Sequence, residues 1–206
     1  MEEYPISLSI DYAERSKRLT VFFRLILAIP ILIIIGLLSS ASYETEKATK
    51  EVERIYSVGI LFFPTLLMIV FRRKYPKWWF DWNIALISFS LRVTSYLLFL
   101  CDEYPSTDEE QSVHVQIPYP DTEKELNQWM PLVKWLLAIP HYVVLCFIVI
   151  GVIVCTVVAW IVILLTGRYP KGMFDFVVGA MRWMLRVNAY AILLTTDKYP
   201  PFRLRA

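Results

Sequence analysis

The stretch PLVKWLLAIPHYVVLCFIVIGVIVCTVVAWIVILLTG, residues 131–167, leaves this chain the fewest structural options. About 20 apolar residues suffice to cross a hydrocarbon core, and this run is longer, with Lys134 and His141 as its only ionisable bases. Two further apolar segments precede it, LTVFFRLILAIPILIIIGLL (19–38) and IYSVGILFFPTLLMIVF (55–71). Between them lies SSASYETEKATKEVER (39–54), a charged segment that cannot stay in lipid. A composition of 57% hydrophobic and 19% charged residues agrees with a membrane protein. The net charge of +2 is too small to argue for a nucleic-acid partner. The first eighteen residues are polar and lack an apolar stretch followed by a small-residue cleavage site, so no secretory signal is expected.

Several phrases occur twice in the same order. LILAIP (25–30) answers WLLAIP (135–140), with Arg24 and Lys134 each six residues before the proline. FRRKYPKWWFDW (71–82) answers TGRYPKGMFDF (166–176), LRVTSY (91–96) answers LRVNAY (185–190), and DEYP (102–105) answers TDKYP (196–200). SLSIDY (7–12) loosely answers HVQIPY (114–119), where alternation reads as a short strand. The ordered set implies a tandem duplication, with a first repeat over 1–105 and a second over 106–206.

Aligning the repeats places the charged segment 39–54 opposite the junction Ile150-Gly151. If that point lies at a membrane surface, the long tract is a helical hairpin with crossings near 132–149 and 152–167. These answer the crossings near 19–38 and 55–71. The strand falls near 113–119, and a third, amphipathic interfacial helix follows in each repeat, near 78–100 and 174–194. Four crossings are favoured over six, because only Lys47, Lys50 and Arg54 of the 21 basic residues then face the far side. Six would draw Arg92, Arg182 and Arg186 into the bilayer, at ~2.5 kcal/mol or more each unless paired. The expected fold is therefore an all-α membrane protein of two tandem repeats, each a transmembrane hairpin plus an interfacial helix, with short N-terminal strands and both termini cytoplasmic.

Candidate contact residues lie on the third helices and the turns before them. Asp175, Gly179, Arg182 and Arg186 share one helical stripe, and Asp81, Ser88 and Arg92 repeat it. Two readings stand side by side. Each aspartate favours its helix N-terminus while the arginines reach lipid headgroups, or Asp81 meets the Arg182/Arg186 face and Asp175 meets Arg92 across the repeats. Tyr75-Pro76 and Tyr169-Pro170 read as rigid turns that end the preceding helix. Cys101, Cys146 and Cys155 form no CxxC and read as small hydrophobes. With His114 and His141 far apart, no metal or cofactor is expected. No Ser/His/Asp set, paired catalytic carboxylates or glycine-rich loop is present, so no enzymatic activity is expected.

The phrases LLAIPH and ILLTGRYPKGMFDFVVGAMRWMLRVNAYAILLTTDKYPPF resemble a family of integral membrane proteins, domain of unknown function 4389. The resemblance covers 131–202 closely and 4–105 as a diverged copy, where KYPKWWFDW lacks the glycine after the turn. It implies a multi-pass protein of the bacterial inner (cytoplasmic) membrane and transfers no catalytic residues. The leading expectation is a non-catalytic accessory or scaffolding subunit contacting lipids and other membrane-protein subunits. The alternative is a small transporter or lipid-handling protein with a site between the repeats.

Overall fold

The computed structural model describes residues 4–13, 15–39, 53–107, 109, 111–122 and 126–205. The described chain is mostly helical: α1 (Arg18–Leu27), α2 (Ile29–Ser39), α3 (Glu53–Arg72), α4 (Lys77–Leu97), α5 (Pro131–Leu137), α6 (Ile139–Thr166) and α7 (Lys171–Ala191). Two strands, β1 (Ser7–Ile10) and β2 (Val113–Gln116), complete it. Most of the charged segment 39–54, which holds Lys47 and Lys50, lies outside the described residues.

Prolines set the helix boundaries. Pro30 and Pro140 are the second residues of α2 and α6. A proline has no N–H to donate and crowds the carbonyl four residues back, so the axis breaks at Ala28 and at Ala138. Backbone bonding runs almost unbroken through both points: Ala28 N–H donates to Arg24 O at 2.8 Å, and Ala138 N–H donates to Lys134 O at 2.9 Å. Pro76 and Pro170 sit in extended conformation as the N-caps of α4 and α7, as their restricted φ favours. α6 ends on Gly167 in the left-handed region (φ 74°), whose N–H closes onto Ile163 O at 2.7 Å.

The expected hairpin in the long tract is not there. α6 runs as one helix of 28 residues straight through Ile150 and Gly151. At ~1.5 Å per residue it is about 42 Å long. Gly151 has a packing role: a Cβ on it would lie 3.2 Å from Cζ of Phe176 on α7. The glycine lets the two helices approach, and a continuous helix satisfies its own backbone in apolar surroundings where a turn would not. The crossings expected near 132–149 and 152–167 are therefore one helix, entered through the short α5. Two described helices are long and apolar enough to cross a membrane, Arg18–Gly36 (α1 running into α2) and Ile139–Thr166, with a shorter apolar helix at Phe62–Arg72.

The third helices form where expected, but α7 is not a surface element. Thirteen of its residues are buried, from Phe174 to Ala191. It packs along α6 on one side and against β1 on another. β1 and β2 pair antiparallel, Leu8 facing Val115 and Ile10 facing Val113. β1 lies on α7 while β2 lies on α4, and α1 packs on α6 while α3 packs on α5. The first and second halves of the chain are thus interleaved, each helix layer being covered by a strand from the other half.

Candidate functional site

The turn tyrosines are structural anchors. Tyr75 and Tyr169 are both 2% exposed. Tyr169 O accepts the Tyr12 hydroxyl at 2.6 Å, and Phe174 meets the Tyr12 ring edge-on at 5.0 Å. Tyr75 O accepts the Tyr119 hydroxyl, and Phe80 meets the Tyr119 ring edge-on at 5.1 Å. In each case the tyrosine just past a strand locks the Tyr-Pro turn of the other half of the chain. Burial pushes the Tyr75 hydroxyl up to about 12, with smaller opposing help from Thr65 and Asn83. Burial raises Tyr169 too.

The arginines of the sequence stripe are held by main-chain carbonyls rather than by aspartates. Arg92 donates to Ser106 O at 2.9 Å. Arg182 donates through Nε to Leu8 O at 2.9 Å and through Nη1 to Leu204 O at 3.1 Å. Arg186 Nη1 donates to Arg205 O at 3.1 Å. Asp81 and Asp175 are exposed, and among the described residues neither forms an ion pair with Arg92, Arg182 or Arg186. The cross-repeat pairs are therefore absent. An isolated carbonyl needs no charge removed from water to reach it, so carbonyls at a loop and a tail satisfy the half-buried Arg92 and Arg182 and the buried Arg186 more cheaply than a carboxylate. Burial lowers the pKa of Arg182, and lowers that of Arg186, where the neighbouring Arg182 and Arg203 add to the effect.

Arg182 and Arg186 thereby strap the C-terminal segment across α7. Gly179 marks the crossing: a Cβ there would stand 2.9 Å from Leu204 Cβ and 3.0 Å from Leu204 O. Farther along, Phe202 stacks on His141 with ring centroids 3.9 Å apart, and Trp183 Nε1 donates to His141 Nδ1 at 3.1 Å. That bond makes Nδ1 the acceptor and assigns the neutral ring's proton to Nε2.

The strongest polar features are two buried cations that the candidate stripe did not contain. Arg24, fully buried, pairs with Asp102, donates to Tyr96 O at 3.1 Å, and lies over the Tyr96 ring at 4.6 Å. Lys134, also fully buried, pairs with Asp197 at 2.7 Å, donates to Thr196 O at 2.8 Å, and lies over the Tyr190 ring at 5.3 Å. The carboxylates have second duties: Asp102 accepts from Lys17 N–H at 2.9 Å and Asp197 from Asn127 N–H at 2.6 Å. Each assembly ties the helix before the Ala-Ile-Pro break to the segment after the arginine-bearing helix. Burial lowers the Lys134 pKa, and Asp197 opposes that shift. The signal was present in the sequence as Arg24 opposite Lys134 and DEYP opposite TDKYP; read together, these matches give both pairs.

No described group of three His, Cys, Asp or Glu residues could hold a metal ion. Open clefts occur at helix and strand ends. One of about 460 Å³ is bounded by Pro5, Ile6, Pro118–Pro120 and Thr195–Lys198. Another, of about 470 Å³, is lined by Arg15, Ser16, Arg18, Thr166, Gly167 and Arg168.

The family model of a domain of unknown function (DUF4389) matches residues 130–203. No curated protein and no solved structure matches the chain.

Proposed function

We propose that the chain is a non-catalytic accessory or scaffolding subunit of a larger assembly in the bacterial inner membrane, built from two tandem copies of one unit. The observation that carries this is the outer surface of α1, α5 and α6. Leu19, Phe22, Leu25, Phe147, Ile153 and Leu165 are each more than half exposed, Leu19 at 78% and Leu165 at 73%. A soluble monomer rarely presents so continuous an apolar face, whereas lipid or a partner subunit covers it at no cost. The buried charges supply the second support: Arg24 and Lys134 hold the fold together rather than facing a substrate. Arg15, Lys17, Arg18, Arg168 and Lys171 gather where α1 begins and α6 ends, the end that this reading takes as cytoplasmic. The duplication finds support in the two cation–carboxylate–tyrosine assemblies and the two tyrosine-locked turns, which join matching positions of the repeated phrases.

Purification of the tagged full chain from its native membranes in mild detergent tests the proposal. A stoichiometric set of membrane-protein partners is expected. A chain that runs alone after in-membrane cross-linking through cysteines placed at Phe147 and Ile153 would overturn the subunit reading. A second reading, a lipid-handling or small transport protein, draws on the cleft bounded by Pro5, Ile6 and Thr195–Lys198, which joins the two halves of the chain. A ligand retained by the isolated protein and lost on filling that cleft with Thr196→Trp would favour it.

A further inference from the structure

Two span-length helical segments end side by side: α1, which runs on into α2, opens at Arg18, and α6 closes at Thr166 just before Arg168. The junction is held by Arg18 Nη2 donating to Leu165 O at 3.0 Å and by Ser16 N–H donating to Gly167 O at 3.0 Å. Arg15, Arg18 and Arg168 line the cleft of about 470 Å³ that opens there. All three are exposed, and among the described residues no carboxylate pairs with any of them. α1 also begins without a side-chain cap, so its positive dipole end adds to the field of the cleft.

We propose that Arg15, Arg18 and Arg168 bind the phosphate of an anionic membrane lipid, a reading that rests on the membrane embedding proposed above. A guanidinium presents its donors in a fork that matches phosphate oxygens. Arg18 spends one donor on Leu165 O and keeps the others for a ligand. The position selects a lipid over a free anion: Leu19 and Leu165, both strongly exposed, flank the cleft and continue into the apolar faces of α1 and α6. An acyl chain laid along those faces brings its phosphate to the arginines. The cleft at the end of α3 makes a contrast. It is lined by Arg73, Lys74, Tyr119, Pro120, Asp121 and Thr122, so it holds a carboxylate, and its Arg73 donates to Gln128 Oε1 at 2.8 Å.

The test is lipid titration of the full chain by native mass spectrometry, comparing phosphatidylglycerol with phosphatidylcholine, beside a titration with inorganic phosphate. Wild-type protein is expected to retain phosphatidylglycerol preferentially. Arg15→Gln with Arg168→Gln should weaken that retention about fivefold per arginine, roughly 25-fold together. Arg15→Lys with Arg168→Lys, which keeps charge but loses the fork, should fall between. Lys74→Gln should change nothing. Equal retention by the double glutamine variant, or an equal loss from Lys74→Gln, overturns the site. Inorganic phosphate bound without any lipid preference overturns the lipid assignment. Thermal melting confirms that the double variant is folded; should it melt early, Arg15→Gln alone is read, with a fivefold loss expected. Cell fractionation separates the two readings. A membrane-bound chain with no anionic preference removes the site alone, and a chain in the soluble fraction removes the embedding and its lipid together.

Discussion

Replacing Asp197 by asparagine isolates the charge of one buried pair. Lys134 has no exposed side-chain surface, and Asp197 is 21% exposed at 2.7 Å from it. At an effective dielectric of about 20, the attraction across that distance is about 6 kcal/mol. Asparagine keeps a carbonyl oxygen for Asn127 N–H, and Thr196 O remains bonded to the ammonium, so part of that is retained. An orphaned buried charge costs about 3–5 kcal/mol. With the partial access of water at position 197, the low end, ~3 kcal/mol, is expected. For a chain of this size that lowers the melting temperature by roughly 6–12 °C, measured in detergent by circular dichroism. Lys134→Met leaves a carboxylate that water reaches, and should cost less, about 1–2 kcal/mol. The double variant leaves no buried cation, so with a coupling of about 2 kcal/mol it should melt no lower than Asp197→Asn alone and up to about 4 °C above it. Strict additivity of the two substitutions, or an Asp197→Asn variant as stable as wild type, would refute the assignment of Lys134 as a buried cation held by its carboxylate.

Other expectations follow from single contacts. Gly179→Ala forces a methyl against Leu204 and should loosen the C-terminal strap at about 1–3 kcal/mol, seen as faster hydrogen exchange over 198–205 with the α6 amides unchanged. A charged loop inserted between Ile150 and Gly151 interrupts a continuous helix and its contact with Phe176, so accumulation of the folded protein should collapse; normal accumulation would mean that the chain tolerates a turn there. Burial pushes the Cys101 thiol up to about 11 from an ordinary 9.0. Between those values the unfolded chain has already lost the proton that the folded one keeps, so stability is full below pH 9 and falls by about 2 kcal/mol towards pH 11. Cys101→Ala should remove that part of the alkaline decline, read as melting temperature against pH. Lys134 works in the opposite direction: its lowered pKa means that the unfolded chain binds the extra proton, so its contribution rises with pH up to about 10.5.

Local chemistry was legible where a single residue type decides it. The Tyr-Pro turns, the strand beginning at Val113 and the two arginine-bearing helices all follow from restricted φ angles and hydrophobic periodicity, whereas the breaks before Pro30 and Pro140 lie inside segments that read as unbroken crossings. The course of the long tract did not. Aligning the repeated phrases located where one half of the chain carries a charged insertion, but an insertion in one half does not oblige the other to turn. In α6 the residues around Gly151 are β-branched and apolar, with no proline or asparagine to stop a helix, and the glycine serves the approach of Phe176. A glycine in an apolar run has the same appearance in sequence whether it turns the chain or admits a neighbour, and only the facing helix tells which.

The arginine stripe carries the further step. Helical spacing placed Asp175, Arg182 and Arg186 on one line, and opposite charges on the two arginine-bearing helices invited pairing between the halves of the chain. What determines the outcome is the location of unpaired carbonyls. β1 and the C-terminal segment each leave main-chain oxygens facing α7, and these take the donors of Arg182 and Arg186. Sequence gives no register for such oxygens, because every residue has one. The carboxylates that pair with the two buried cations, Asp102 and Asp197, sit just after the arginine helices, beside left-handed residues Phe99 (φ 63°) and Leu194 (φ 59°) that turn the chain back towards Arg24 and Lys134. A non-glycine residue in that region costs on the order of 1 kcal/mol. The same strained turn kept at both places, each delivering a carboxylate to a buried cation, ties the conformation of the tail to the integrity of the pair. Breaking either ion pair should therefore release the adjoining turn as well as the helix it holds. Loss of exchange protection at Leu193–Thr195 in Asp197→Asn would register this, and protection retained there despite a lowered melting temperature would show the turn to be held by its own backbone bonds alone.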